Sequence, residues 1–136
     1  MVLDSIAHNY TSLNKDVILK NLDRKNFRVY RYDGYFASIS SPEDYYKSNM
    51  DLLKDKDIRK QLFGEKNRPV LTKVRNSAPA SYVDGAIVRN SLIADGCVIE
   101  GTVENSILFR GVKVGKNTHI KNSIIMQDTI TGENVY

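Results

Sequence analysis

Cys97, His8 and His119 are the only cysteine and histidine side chains in this sequence, the residue types of a thiol nucleophile or a zinc site. A catalytic cysteine or a zinc site needs partner residues at defined spacings, and no such pattern surrounds any of the three. Cys97 falls on a small, inward-facing position of a repeat described below, which predicts a buried and unreactive thiol. The two isolated histidines favour surface or structural roles.

A second chemical feature is the basic stretch at residues 54–75, which carries a net charge of +5 against +4 for the whole chain. A solvated linker accounts for these charges, and an anion or effector site is the alternative. The candidates for that site are Lys66, Arg68, Lys73 and Arg75. We expect no nucleic-acid partner, because the aromatic residues do not interleave with the basic ones.

The elements that must position these groups follow from a repeat near the end of the sequence. An Asn-Ser pair followed by two aliphatic residues occurs at 90–93, 105–108 and 122–125, at spacings of 15 and 17 residues. A finer period of six places an aliphatic residue at the start of each hexapeptide and a small or β-branched residue four positions later. This pattern predicts a left-handed parallel β-helix, in which three hexapeptides close one coil.

The same period predicts which side chains fill the β-helix and which form its corners. The predicted core consists of Ile93, Cys97, Ile99, Val103, Leu108, Val112, Val114, Thr118, Ile120 and Ile125. We expect Gly96, Gly101, Gly111 and Gly115 at corners, where glycine tolerates positive φ. An antiparallel sandwich of short strands is the alternative fold, but it leaves the Asn-Ser repeat unexplained.

The pattern in the first part of the chain predicts a small α/β region. The predicted fold class is therefore mainly β, with a left-handed parallel β-helix preceded by this α/β region. Residues 14–25 read as an amphipathic helix, and residues 27–32 and 35–39 alternate like two strands. Ser41-Pro42 begins a helix whose apolar residues we expect to face a second helix at 57–63, and 70–72 reads as a strand. The predicted domains are 1–54, a helix and linker at 55–80, and the β-helix at 81–136.

Composition places the chain among ordinary soluble proteins, with 41% hydrophobic and 26% charged residues. No apolar run approaches the length that spans a membrane, and no signal peptide is visible. We therefore expect a cytoplasmic protein with no membrane partner.

Three segments of the chain resemble one enzyme family. GYFASISSPEDYYKSNMDLL at 34–53 resembles the segment that closes the catalytic domain of sugar nucleotidyltransferases and enters a long helix. The lead-in to the β-helix of that family resembles residues 68–83, RPVLTKVRNSAPASYV. The repeat of that β-helix resembles residues 101–115, GTVENSILFRGVKVG. The order and spacing of these segments resemble the C-terminal part of bacterial glucose-1-phosphate adenylyltransferase (ADP-glucose pyrophosphorylase), an enzyme of glycogen synthesis.

The chain departs from that family at a position that matters for catalysis. The resemblance implies that an aspartate there helps to hold the Mg²⁺ of the intact enzyme, and Ser38 occupies this position here. A neutral hydroxyl cannot replace an anionic ligand of Mg²⁺, so the chain resembles the catalytically degenerate, GlgD-type subunit of the family. Asp33 or Asp44 acting instead is the alternative, although neither lies in register with the motif.

The expected function follows from these departures. No glycine-rich phosphate loop follows a strand, so we expect no catalytic residue, no cofactor and no metal in this chain alone. The resemblance implies a regulatory or assembly role beside a catalytic pyrophosphorylase subunit, and uncapped β-helix ends favour homo-oligomers. The alternative is an independent hexapeptide-repeat acyltransferase. Such acyltransferases resemble one another in forming trimers and in carrying a catalytic histidine on a loop of the β-helix. We expect His119 instead to point outward from a strand.

Overall fold

The computed structural model describes residues 7–64, 70–71 and 76–136, and the chain divides into two compact units, Met1–Asp33 and Gly34–Tyr136. In the first unit, Leu13–Ile18 forms a π-helical turn and Leu19–Asn21 a 3-10 turn. The helix predicted at 14–25 is therefore present but short. The Asn21 side-chain amide donates to the Val17 carbonyl at 2.8 Å, and such side-chain bonds compete with the main-chain bonds that continue a helix.

The strands predicted at 27–32 and 35–39 are not present in the structure, which has no regular secondary structure there. Val29 is 98% exposed and Tyr30 87% exposed. An alternating sequence becomes a strand only when a neighbouring strand pairs with its main-chain groups, and no described segment does so here. Val70 and Leu71 also lie outside any strand, and Thr72 lies outside the described residues.

Two helices begin the second unit. Helix α1 spans Pro42–Lys54, and its N-cap Ser41 accepts a hydrogen bond from the Asp44 amide at 3.1 Å, as the sequence predicted. Helix α2 spans Lys56–Phe63, begins at the N-cap Asp55 and ends at Gly64. Neither helix, nor any other helix among the described residues, is long and apolar enough to cross a membrane.

Nine short strands follow, and together they confirm the predicted parallel β-helix. They pair in parallel as three sheets with the strand orders β1-β4-β7, β2-β5-β8 and β3-β6-β9. Each coil of the chain thus contributes one strand to each sheet. The strands are β1 Ser81–Tyr82, β2 Ile87–Arg89, β3 Leu92–Ile93, β4 Val98–Ile99, β5 Thr102–Glu104, β6 Ile107–Leu108, β7 Lys113–Val114, β8 His119–Lys121 and β9 Ile124–Ile125.

The predicted core residues fill the interior of the β-helix. Pairs in register stack one aliphatic side chain on the next, as Ile99 does on Val114 and Val103 on Ile120. Ile93 and Ile125, in the first and third coils, are partly buried against this cluster. The buried members are Cys97, Ile99, Val103, Leu108, Val112, Val114, Thr118 and Ile120.

The Asn-Ser pairs form one corner of the β-helix in each coil. Asn90, Asn105 and Asn122 have φ values of 42, 46 and 49°, so asparagine supplies the left-handed backbone that each corner needs. The serine hydroxyls link the coils: Ser106 Oγ donates to its own coil at the Glu104 carbonyl and accepts from the Ser123 amide of the next coil. The repeat is therefore a corner motif that satisfies its own main-chain groups.

The glycines at the corners serve two different purposes, which corrects the sequence prediction. Gly96 and Gly111 have positive φ, at 76 and 71°, as expected. Gly101 and Gly115 do not, and a Cβ at either would lie within 2.4 Å of a main-chain oxygen in the neighbouring coil. Glycine is needed at these two positions because the coils approach each other closely there.

Helix α1 packs on the outside of the β-helix, whereas the sequence predicted that its apolar residues face α2. Met50 and Leu53 are buried against Ile107, with Ile124 packed beside them. Ile107 and Ile124 are the first of the two aliphatic residues in their repeats and point outward, while the second residue points into the core. In the second and third coils, two adjacent aliphatic residues thus correspond to a strand that is covered on both faces, whereas Leu92 in the first coil is exposed.

Candidate functional site

Ser38, which occupies the position of the metal-binding aspartate implied by the resemblance, lines a small cleft. This cleft has a volume of about 190 Å³ and lies beside the first half of α1. The Ser38 and Ser40 hydroxyl oxygens are 3.5 Å apart, and both side chains are exposed. The cleft is lined by Tyr35, Phe36, Ala37, Ser38, Asp44, Lys47, Ser48 and Asp51.

At Ser38 this cleft has a neutral hydroxyl where the resemblance implies a carboxylate ligand of Mg²⁺. Magnesium takes oxygen ligands in near-octahedral geometry and is usually anchored by one or two carboxylates. The cleft contains the carboxylates of Asp44 and Asp51. Asp44 accepts a hydrogen bond from the Ser40 amide at 3.3 Å, and the ammonium group of Lys47 adds a positive charge to the same cleft. No group of three or more histidine, cysteine or acidic side chains that could hold a metal ion occurs among the described residues.

The other aspartate considered from the sequence, Asp33, is engaged elsewhere. Its carboxylate accepts a hydrogen bond from the Arg31 guanidinium at 2.9 Å, and both side chains are exposed. Asp33 also belongs to the first compact unit, whereas Ser38 belongs to the second. The structure therefore supplies no argument for a metal ligand at Asp33.

The four candidates for an anion site, Lys66, Arg68, Lys73 and Arg75, lie outside the described residues. Of the basic stretch, the structure describes Lys54, Lys56, Arg59 and Lys60. The Arg59 guanidinium donates to the carbonyls of Leu52 and Leu53, the latter at 3.0 Å. Arg59 thus caps the carboxyl end of α1, where its positive charge stabilises the last carbonyl groups of the helix.

The cysteine and the histidines take the structural positions predicted for them. Cys97 is fully buried, its Sγ donates to the Phe109 carbonyl at 3.1 Å, and burial raises the pKa of the thiol. His119 lies within β8, with Nε2 3.4 Å from the Glu104 carboxylate on the outer face. A catalytic histidine of the acyltransferase alternative would need a loop position. His8 is exposed, and its ring lies 5.5 Å from the Tyr10 ring.

A second and larger cleft was not predicted from the sequence. It has a volume of about 370 Å³ and lies between α1 and the Asn-Ser corners. Its position depends on where α1 docks, and the only sequence signal was the repeated asparagine. The lining residues are Tyr46, Met50, Leu53, Lys54, Asn90, Asn105 and Asn122.

Comparison with known proteins agrees with this fold and with the resemblance seen in the sequence. Residues 78–136 match the family model described as GlmU-like, C-terminal hexapeptide. The glycogen biosynthesis protein GlgD of Bacillus subtilis (strain 168) is 49% identical over 92 residues, which cover 68% of this chain and 26% of that protein. GlgD of Geobacillus stearothermophilus is 46% identical over 135 residues, covering 82% of this chain and 39% of that protein.

Proteins named as the enzyme itself are also similar. The glucose-1-phosphate adenylyltransferase of Clostridium botulinum (strain Eklund 17B / Type B) is 44% identical over 113 residues, covering 81% of this chain and 28% of that protein. The chain thus spans between about a quarter and two-fifths of the length of these relatives. These similarities confirm the homology inferred from the three sequence segments.

Proposed function

Because this chain is a homologue of GlgD and glucose-1-phosphate adenylyltransferase proteins, we propose that it serves glycogen biosynthesis as a regulatory or assembly module. The reaction concerned converts ATP and glucose 1-phosphate to ADP-glucose and diphosphate. In this proposal the chain is not catalytic on its own, and it acts in the cytoplasm.

The cleft around Ser38 is the observation that carries this proposal. Transfer of a nucleotidyl group depends on holding the phosphates in line and on neutralising the charge that develops on them. Ser38 offers a neutral hydroxyl where the resemblance calls for a carboxylate, and Asp44 is already bound to the Ser40 amide. No glycine-rich phosphate loop follows a strand in the sequence, and no group of three or more histidine, cysteine or acidic side chains meets among the described residues.

The partner in this proposal is a catalytic pyrophosphorylase subunit, and a second copy of the chain is a further partner. Strands β1, β2 and β3 each pair with one neighbour only among the described strands, which leaves one edge of every sheet open. Tyr82 and Ile87 on this coil are 55% and 44% exposed. Open sheet edges with exposed apolar side chains favour association, which supports the assembly role.

An assay of ADP-glucose formation tests the proposal. The purified chain is incubated with ATP, glucose 1-phosphate and Mg²⁺, alone and together with an active glucose-1-phosphate adenylyltransferase. We expect no ADP-glucose from the chain alone, co-elution with the active subunit in gel filtration, and a changed rate or activator response in the mixture. Turnover by the chain alone at the rate of an ordinary catalytic subunit would overturn the non-catalytic assignment. Separate elution with unchanged kinetics would overturn the assembly role.

A further inference from the structure

The second cleft, which we call the Asn cleft, is built differently from the cleft around Ser38. One wall is the row of Asn-Ser corners with Asn90, Asn105 and Asn122, and the other wall is α1. The Tyr46 hydroxyl donates to the Asn122 carbonyl at 2.7 Å and closes one end. The volume of about 370 Å³ lies within the range of small-molecule sites, roughly 300–1,000 Å³.

The asparagine wall presents a row of carboxamides in fixed positions. Strands of neighbouring coils lie about 4.8 Å apart, so the corner asparagines repeat at about that distance. The Asn90 side-chain amide donates to Asn105 Oδ1 at 2.8 Å, which orients both groups. The carboxamide of Asn122 and the amide nitrogen of Asn105 have no hydrogen-bond partner in the part of the chain that the structure describes. They are available to a ligand.

The helix wall is mostly apolar. Met50 and Leu53 form its base, and the Tyr46 ring stands beside them and is 42% exposed. A tyrosine ring combines a flat apolar face with a polar hydroxyl. A ligand that fits both walls therefore has one polar, hydrogen-bonding edge and one apolar face.

Among the residues that the structure describes, the cleft contains one charged side chain, Lys54, and no second cation beside it to hold a bare anion. Lys54 is the last residue of α1, where the partial negative charge of the helix end opposes a bound anion. Carboxamides both donate and accept hydrogen bonds, and so do hydroxyl groups. We propose that the Asn cleft binds a sugar, with its hydroxyl groups on the asparagine row and its C–H face against Tyr46, Met50 and Leu53.

Binding of maltose, a neutral disaccharide, tests this proposal on the intact chain by saturation-transfer NMR and calorimetry. The informative variant is Asn105→Gly, because glycine keeps the positive φ of the corner while removing the carboxamide. The matched control is Asn117→Gly. Asn117 also has positive φ, at 56°, and donates to Asn134 at 3.2 Å, but it does not line the Asn cleft. Thermal melts of both variants report the structural cost of losing a corner carboxamide.

We expect maltose to bind the unchanged chain and the Asn117→Gly variant alike, and to bind Asn105→Gly about five- to tenfold more weakly. Absence of maltose binding, or equal weakening in both variants, would overturn the proposal. Inorganic phosphate is the second probe. If phosphate alone competes fully with maltose, the cleft is an anion site and the sugar assignment is wrong. Comparing glucose with glucose 1-phosphate then shows whether the bound sugar is neutral or phosphorylated.

Discussion

The hydroxyl of Tyr46 in α1 donates a 2.7 Å hydrogen bond to the main-chain carbonyl of Asn122, 76 residues later in the third coil of the β-helix. This bond ties the helix to a corner of the solenoid beyond the apolar contacts of Met50 and Leu53. It joins the two walls of the Asn cleft, so its loss should affect both stability and the shape of that cleft.

We predict that Tyr46→Phe lowers the free energy of unfolding by about 0.5–1.5 kcal/mol, measured by urea denaturation. The low end is expected because the bond is exposed and water can replace the hydroxyl. Tyr45→Phe is the matched control, since no described residue hydrogen-bonds to the Tyr45 hydroxyl. Equal effects of the two changes would show that the Tyr46–Asn122 bond does not stabilise the docking of α1.

Val114→Asp should unfold the β-helix or destabilise it by about 4 kcal/mol or more. Val114 is 1% exposed and stacks in register on Ile99, so a carboxylate there would be buried without a partner. The neighbouring Lys113→Asp change places the same group on the outer face and should cost far less. Circular dichroism during thermal unfolding makes the comparison, and similar losses in both variants would contradict the inward assignment of Val114.

Gly101→Ala should destabilise the chain by about 1–3 kcal/mol, although the φ of Gly101 is not positive. The added methyl group would meet the main-chain oxygens of Thr118 at 2.3 Å and Gly115 at 2.8 Å, and main-chain atoms cannot rotate away. Gly132→Ala is the control, because its Cβ would meet only a Val135 methyl group, at 3.8 Å. Chemical denaturation of both variants should separate them, and equal stability would mean that the coils adjust freely.

Cys97 should make stability depend on pH in the alkaline range. Burial raises the pKa of its thiol in the folded state, so the unfolded state loses this proton first as the pH rises. The contribution of the protonated Cys97 thiol to the free energy of unfolding is fully present below the ordinary pKa of a thiol. It declines as the pH rises from there through the raised pKa of the folded state. Urea midpoints of the unchanged chain should therefore fall more steeply with rising pH than those of Cys97→Ala. Parallel curves would contradict the prediction.

The sequence alone determined the inside of the β-helix and the start of α1. Aliphatic core positions recur at intervals of four to six residues, one for each of the three sheets that a coil contributes to, so Ile99, Val103 and Val114 could be assigned without knowing what surrounds the solenoid. The N-cap at Ser41 is equally local, since its hydrogen bond spans only three residues. Ser38 could be matched to the metal-binding aspartate position of the family because the resemblance there covers one continuous segment, residues 34–53.

Tertiary structure decided the features that join distant residues. Periodicity shows which face of a strand is apolar, but not that α1 covers Ile107 and Ile124, and so the Asn cleft could not be foreseen. Alternation at 27–32 and 35–39 indicated two strands, yet a strand needs a partner for its main-chain groups, and no described residue supplies one. Gly101 lies at a corner as expected, but it is the close approach of the Thr118 carbonyl in the next coil, not a positive φ, that requires glycine there, and only the stacked coils bring those atoms together.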